Sequence, residues 1–127
     1  MDKKRILIID DENGFTELLK DILEETGRYE VETENEGRLG FFTAKNFCPD
    51  LILLDVVMPD IDGSVVAGRL KSDKETENIP IIFLTGTITP DEAKEQKDGN
   101  GGRLYLAKPV VLKELMQCVE KKISMTE

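Results

Sequence analysis

Apolar and polar residues alternate along the chain in two rhythms, one of strands and one of helices. Ile6 to Ile9 is an unbroken apolar run that stops at Asp10-Asp11. After it Phe15, Leu18, Leu19, Ile22 and Leu23 recur at the three- and four-residue intervals of an amphipathic helix, and Gly27 supplies the stop. Tyr29 to Thr33 alternates like a more exposed strand. Leu39, Phe41, Phe42 and Phe47 give a second helix its apolar side. Gly40 within it costs up to about 1 kcal/mol relative to Ala, which close packing against a sheet would explain. Leu51 to Leu54 contains no polar residue and reads as the central strand, covered by helices on both faces.

Beyond Asp55, Val56-Val57-Met58-Pro59-Asp60-Ile61-Asp62-Gly63 is a loop broken by its proline and glycine, and Val66 and Leu70 mark the inward side of a third helix. The polar stretch Lys71 to Asn78 leads into a fourth strand, Pro80 to Leu84. Thr89-Pro90-Asp91-Glu92 carries an N-cap threonine, a proline at the first helical position and a capping-box glutamate. The helix it opens, Ala93 to Asp98, is almost wholly polar and ends in Gly99-Asn100-Gly101-Gly102. Leu104 to Ala107 is a fifth strand, and Leu112, Leu115, Met116, Val119 and Ile123 trace a final amphipathic helix. Five strand–helix pairs imply right-handed crossovers and an α/β, doubly wound parallel sheet with helices on both faces. With no repeat, linker or low-complexity segment, residues 1–127 are expected to form a single domain.

Charge and composition narrow the function classes. The 26 acidic residues against 17 basic ones give a net charge of −9, which argues against a nucleic-acid surface. Met1-Asp2-Lys3-Lys4-Arg5 is basic, but the apolar run behind it is too short for a signal peptide or a membrane span, so a cytoplasmic protein is expected. Cys48 and Cys118 have no CxxC spacing and read as unpaired thiols.

The chemistry lies where the strands end. Asp10, Asp11 and Asp55 each follow an apolar run, and Lys108 follows a fourth. In a doubly wound sheet the carboxyl ends of the strands open into the ligand crevice. Carboxylates gathered there would repel one another without a divalent cation among them, and the combination points to phosphoryl chemistry. A single acid after a strand is as often a turn former or helix cap; two in succession followed by Glu12 are harder to explain that way.

Four segments, Ile8-Ile9-Asp10-Asp11-Glu12, Leu53-Leu54-Asp55-Val56-Val57-Met58-Pro59 with Gly63, Leu84-Thr85-Gly86 and Leu106-Ala107-Lys108-Pro109, resemble in order and spacing the marks of the response-regulator receiver domain. The resemblance runs from Lys4 to about Lys122. It implies a flavodoxin-like strand order 2-1-3-4-5. It also implies a phospho-acceptor that takes a phosphoryl group onto Asp55 from a sensor histidine kinase or a histidine phosphotransfer protein. Asp10, Asp11, Asp55 and the backbone carbonyl of Val57 correspond to the family's Mg²⁺ site, Asp10 largely through water. Lys108 corresponds to the lysine that pairs with the phosphoryl group, with a cis bond to Pro109. Thr85 and Tyr105 correspond to the switch pair, and Gly86 to a small residue that leaves the phosphoryl group room. Output would pass to a downstream effector protein or domain, or through a phosphorylation-dependent homodimer, across a surface that includes the polar fourth helix. The domain would be a signalling switch, not an enzyme acting on a separate substrate.

Two positions depart from the family's habit. Val57 often has a polar counterpart, and its aliphatic side chain is expected to lengthen the life of the phosphorylated state, with Thr87 the nearby polar residue that could compensate; Val110 stands where an aromatic is common. An aspartyl phosphatase would need a second acid two residues after the nucleophile, where Val57 cannot transfer a proton. A nucleotide- or flavin-binding domain would need a glycine-rich loop where Asp10-Asp11-Glu12-Asn13-Gly14 would repel an anion. A receiver that only docks partners would not need Asp11, Asp55, Thr85 and Lys108 together. The chain has no histidine, so the phosphohistidine donor must be another protein.

Overall fold

The computed structural model describes residues 3–86 and 104–124. Its five strands are β1 (Lys4–Ile9), β2 (Tyr29–Glu34), β3 (Leu51–Asp55), β4 (Ile81–Thr85) and β5 (Leu104–Ala107). They form one sheet in the order β2-β1-β3-β4-β5, with every neighbouring pair parallel. The described helices are α1 (Asn13–Glu25), α2 (Gly40–Phe47) entered through a 3-10 turn at Gly37–Leu39, α3 (Gly63–Lys71) and α4 (Leu112–Ser124). The strand order and parallel pairing are those expected. The fourth helix expected from Thr89 to Asp98, and Thr87, lie outside the described residues.

Alternation along β1 sorts the core into two layers. Ile6 and Ile8 join Leu19 and Leu23 of α1 and Leu115, Val119 and Ile123 of α4 on one face. Leu7 and Ile9 join Ala44 of α2 and Val66 and Leu70 of α3 on the other. Because both faces of β3 are covered, Leu51 to Leu54 are wholly buried, which is why that strand is a continuous apolar run. β2, at the sheet edge, keeps its alternation.

Local chemistry sets the element ends. Gly27 takes a φ of +78° beyond α1. The Asp62 carboxylate accepts from the Ser64 backbone N–H and hydroxyl, both at 2.8 Å, capping α3. Buried Thr76 donates to the Leu70 carbonyl at 2.6 Å, anchoring the polar stretch after α3. A β-carbon on Gly40 would come within 2.8 Å of Ile9 Cδ1, so that glycine does let α2 lie close on the sheet.

Four residues read as apolar-face positions are exposed: Leu18, Leu39, Phe42 and Leu112. The causes are geometric. Leu19 and Leu23 fill the narrow stripe that α1 turns to the sheet, and Leu18 falls at its margin. α2 approaches the sheet through Gly40 and Ala44, with Phe41 and Phe47 packed at the side of the core and Phe42 turned outward, and the Arg69 guanidinium lies 4.6 Å and 5.2 Å from the Phe41 and Phe42 ring centroids. Cys118 is buried and Cys48 exposed, both unpaired.

Candidate functional site

Strand register assembles the crevice. Ile9 pairs with Leu54, so the next residues, Asp10 and Asp55, emerge side by side. Asp55 pairs with Leu84 and Thr85 with Ala107, so Thr85 and then Lys108 complete a row across four adjacent strand ends. All of these are sites expected from sequence, and the fold brings them together. Asp10, Asp55 and Thr85 are buried. Asp11 is exposed at the rim, and side-chain oxygens of Asp10, Asp11 and Asp55 lie within 4.8 Å of one another.

The backbone fixes the acids. Asp10 Oδ1 accepts from the Glu12 N–H at 3.0 Å, and the Val57 N–H points to Asp55 Oδ1 at 3.4 Å. The loop after Asp55 closes through a 2.7 Å bond from the Gly63 N–H to the Val56 carbonyl. There the backbone passes so near that a β-carbon on residue 63 would collide with the Asp55 carbonyl oxygen. Val57 itself is exposed.

Lys108, whose bond to Pro109 is cis, extends its side chain into this cluster. Its Nζ lies 2.7 Å from Asp10 Oδ2, 3.1 Å from Glu12 Oε1, 3.7 Å from Asp55 Oδ2 and 4.8 Å from the Phe15 ring centroid. One lysine does not satisfy so many carboxylates. Burial, then the negative charge of Asp10, pushes the Asp55 carboxyl up to about 6 despite Lys108. Burial also raises Asp10, outweighing its contacts with Lys108 and the Glu12 N–H. Burial alone would lower Lys108, but the surrounding carboxylates carry it above the ordinary lysine range.

The donor set fits a hard divalent cation. Asp10 Oδ2 is buried, and beyond its ion pair with Lys108 at 2.7 Å it has no hydrogen-bond donor among the described residues. An oxygen-only cluster with an unsatisfied buried carboxylate suits Mg²⁺, which takes oxygen ligands and keeps part of its water shell.

Tyr105 pairs with Phe83 in the β4–β5 register, and their rings stack at 5.1 Å and 20°. Thr85 lies two residues beyond Phe83 and so shares that face of the sheet. Tyr105 is half-buried, so its ring borders both core and surface.

Four site contacts were not anticipated. The Asn35 amide donates to the Asp10 carbonyl at 2.8 Å and to the Thr16 hydroxyl at 3.0 Å, tying the ends of β1 and β2 to the first turn of α1. The pairing of Ile9 with Glu34 places Asn35 beside Asp10, so strand register carried that signal. The contacts of Lys108 with Glu12 and Phe15 bridge more than 90 residues of chain and have no local signature.

Comparison with known proteins agrees with this fold. The chain is 36% identical over 123 residues to the DNA-binding dual master transcriptional regulator RpaA of Synechocystis, covering 97% of this chain and spanning 50% of that protein's length. It is 36% identical over 117 residues to protein PilH of Pseudomonas aeruginosa, covering 91% of this chain and 93% of that one. Among solved structures, a response regulator from Chloroflexus aurantiacus superposes with a TM-score of 0.81 at 28% identity, covering 97% and 99% of the two chains. The chemotaxis protein CheY4 of Vibrio cholerae gives 0.79 at 26%, covering 94% and 98%. The sequence model of the response regulator receiver domain matches residues 6–120, and the chain belongs to that family, the receivers of two-component signalling.

Proposed function

We propose that this domain is a phosphoryl acceptor in a two-component relay, with Asp55 as the residue modified. The convergence of Asp10, Asp11, Asp55 and Lys108 in one crevice carries this reading. An Asp55 oxygen attacks the phosphorus of a phosphohistidine on a sensor histidine kinase or phosphotransfer protein. The phosphorus–nitrogen bond breaks, and the imidazole leaves with the electron pair. Asp10, Asp11, Asp55 and the Val57 carbonyl would hold Mg²⁺, which when bound offsets the repulsion between an anionic nucleophile and an anionic phosphoryl group. Lys108 exchanges part of its pairing with Asp10 and Glu12 for a phosphoryl oxygen, and the Thr85 hydroxyl donates to another.

Receivers interact with histidine kinases and with downstream effectors. For this chain we read the β5 edge of the sheet as the output surface, because Thr85 and Tyr105 share the Phe83 face of β4 and β5 and their rearrangement would bias a two-state equilibrium there. The reading assigns no direct nucleic-acid contact to this domain. Among the described residues no helix is long and apolar enough to cross a membrane.

The test is treatment with acetyl phosphate and Mg²⁺ followed by intact-mass measurement. One phosphoryl group should be added to the wild type and none to Asp55→Asn. Undiminished labelling of that variant would overturn the assignment, and labelling indifferent to a chelator would remove the metal role.

A further inference from the structure

We infer that Phe15 and Glu12, on the entry to α1, are positioning residues that act on Lys108 in opposite senses, Phe15 holding its ammonium at the crevice and Glu12 holding it back from the phosphoryl position. This rests on the reading of Lys108 as the phosphoryl-pairing lysine.

A lysine is a point charge on a four-carbon stem, and its location depends on what surrounds the head. Two kinds of restraint surround this one. Asp10 and Glu12 hold Nζ by charge at 2.7 Å and 3.1 Å. Phe15 presents its ring with the centroid 4.8 Å from Nζ, inside the range of about 6 Å over which a ring face attracts a cation. Phe15 is itself partly buried against the core that includes Ile8 and Leu115, so the face is backed by the sheet.

The two restraints respond differently when Asp55 gains a phosphoryl group. Nζ now lies nearer Asp10 and Glu12 than Asp55 Oδ2, at 3.7 Å, and it has to shift toward the new oxygens. A carboxylate grips through close approach, so that shift works against Glu12. A ring face attracts over its whole area and tolerates displacement of the head across it. Glu12 is 63% exposed, so water and salt screen its grip, which makes it the weaker effect of the two.

The experiment titrates the full chain with beryllofluoride in the presence of Mg²⁺ and reads affinity by calorimetry. Phe15→Leu keeps an apolar side chain but removes the ring, and is expected to weaken binding about three- to tenfold. Phe15→Tyr should restore it. Glu12→Gln is expected to tighten binding about twofold. Both effects should vanish in a Lys108→Gln background, a result that a merely structural role for Phe15 would not produce. Should the leucine variant fail to fold, Phe15→Met carries the same test.

Failures separate cleanly. If Lys108→Gln binds beryllofluoride like the wild type, the role of that lysine falls and this inference with it. If Lys108→Gln binds poorly while Phe15→Leu binds normally, or keeps its deficit in the Lys108→Gln background, the lysine's role stands and that of Phe15 is overturned. Unchanged or weaker binding by Glu12→Gln overturns the opposing role.

Discussion

Lys45 and Lys108 are surrounded by the same kinds of group and differ in burial. Lys45 pairs with Asp73 at 3.1 Å and Glu75 at 3.5 Å, and its Nζ lies 5.5 Å from the Phe41 ring centroid. Lys108 likewise has carboxylates around it and a phenylalanine ring at 4.8 Å. At the surface the pairing is complete: the Glu75 N–H and then Lys45 hold the Asp73 carboxyl below its usual range, and the bond from Lys45 to Asp73 raises the lysine. In the crevice the carboxyls of Asp10 and Asp55 shift upward although a lysine stands beside them, because burial outweighs it. The direction of the carboxyl shift separates a pair that satisfies itself from a cluster that has room for another cation.

That contrast can be broken at its strongest point first. Under the proposed metal site, Mg²⁺ at a hundred times its dissociation constant should stabilise the fold by about 2.7 kcal/mol. For a chain of this size that raises the melting temperature on the order of 10 °C. Asp11→Asn should remove most of the gain, whereas Asp73→Asn should leave it intact; scanning calorimetry with and without chelator decides.

The next effect is pH. In the metal-free protein Asp55 titrates at about 6, above its unfolded value, so the folded state binds its proton more tightly. Its contribution is therefore greatest at low pH and is lost as pH rises from about 4 through about 6. Asp73, with its lowered pKa, runs the other way and contributes above the unfolded value. In urea unfolding with chelator, Asp55→Asn should exceed the wild type in stability at pH 7.5 and converge on it toward about pH 4. A constant gap would show that burial of Asp55 is not what raises it.

Smaller effects sharpen the comparison. Val57 leaves an exposed aliphatic side chain beside Asp55. Val57→Asn, able to orient a water, should shorten the phosphorylated lifetime a few-fold at fixed Mg²⁺, and an unchanged or slower loss would remove that role. Lys45→Gln should move the melting temperature by about a degree and leave phosphoryl labelling untouched.

Most of the fold is legible in residue order because burial on both faces leaves its mark on every inner strand. Leu51 to Leu54 announces the centre of the sheet by containing nothing polar, and the acids and lysine of the crevice announce themselves by ending such runs. What stayed hidden depends on distances between elements. Phe42 has the spacing of a buried residue, yet α2 lies on the sheet through Gly40 and Ala44, so that ring turns outward. Asn35 looks like an ordinary turn residue until β1 and β2 are aligned, when its amide falls on the Asp10 carbonyl.

The closed loop ending at Gly63 places a further requirement on Asp55 as the proposed acceptor and nucleophile. The main chain of residue 63 lies so close to the Asp55 carbonyl oxygen that even one methyl group there must push the end of β3 aside. Such a lesion would carry no charge, remove no proton and touch no ligand, and it would still spoil alignment for in-line attack, because it would move the nucleophile's own peptide. Under the proposed function, inactive variants of this domain should fall into two kinds, those disarmed and those misaimed. Only the second should regain function through a compensating change in the backbone around residues 56–62.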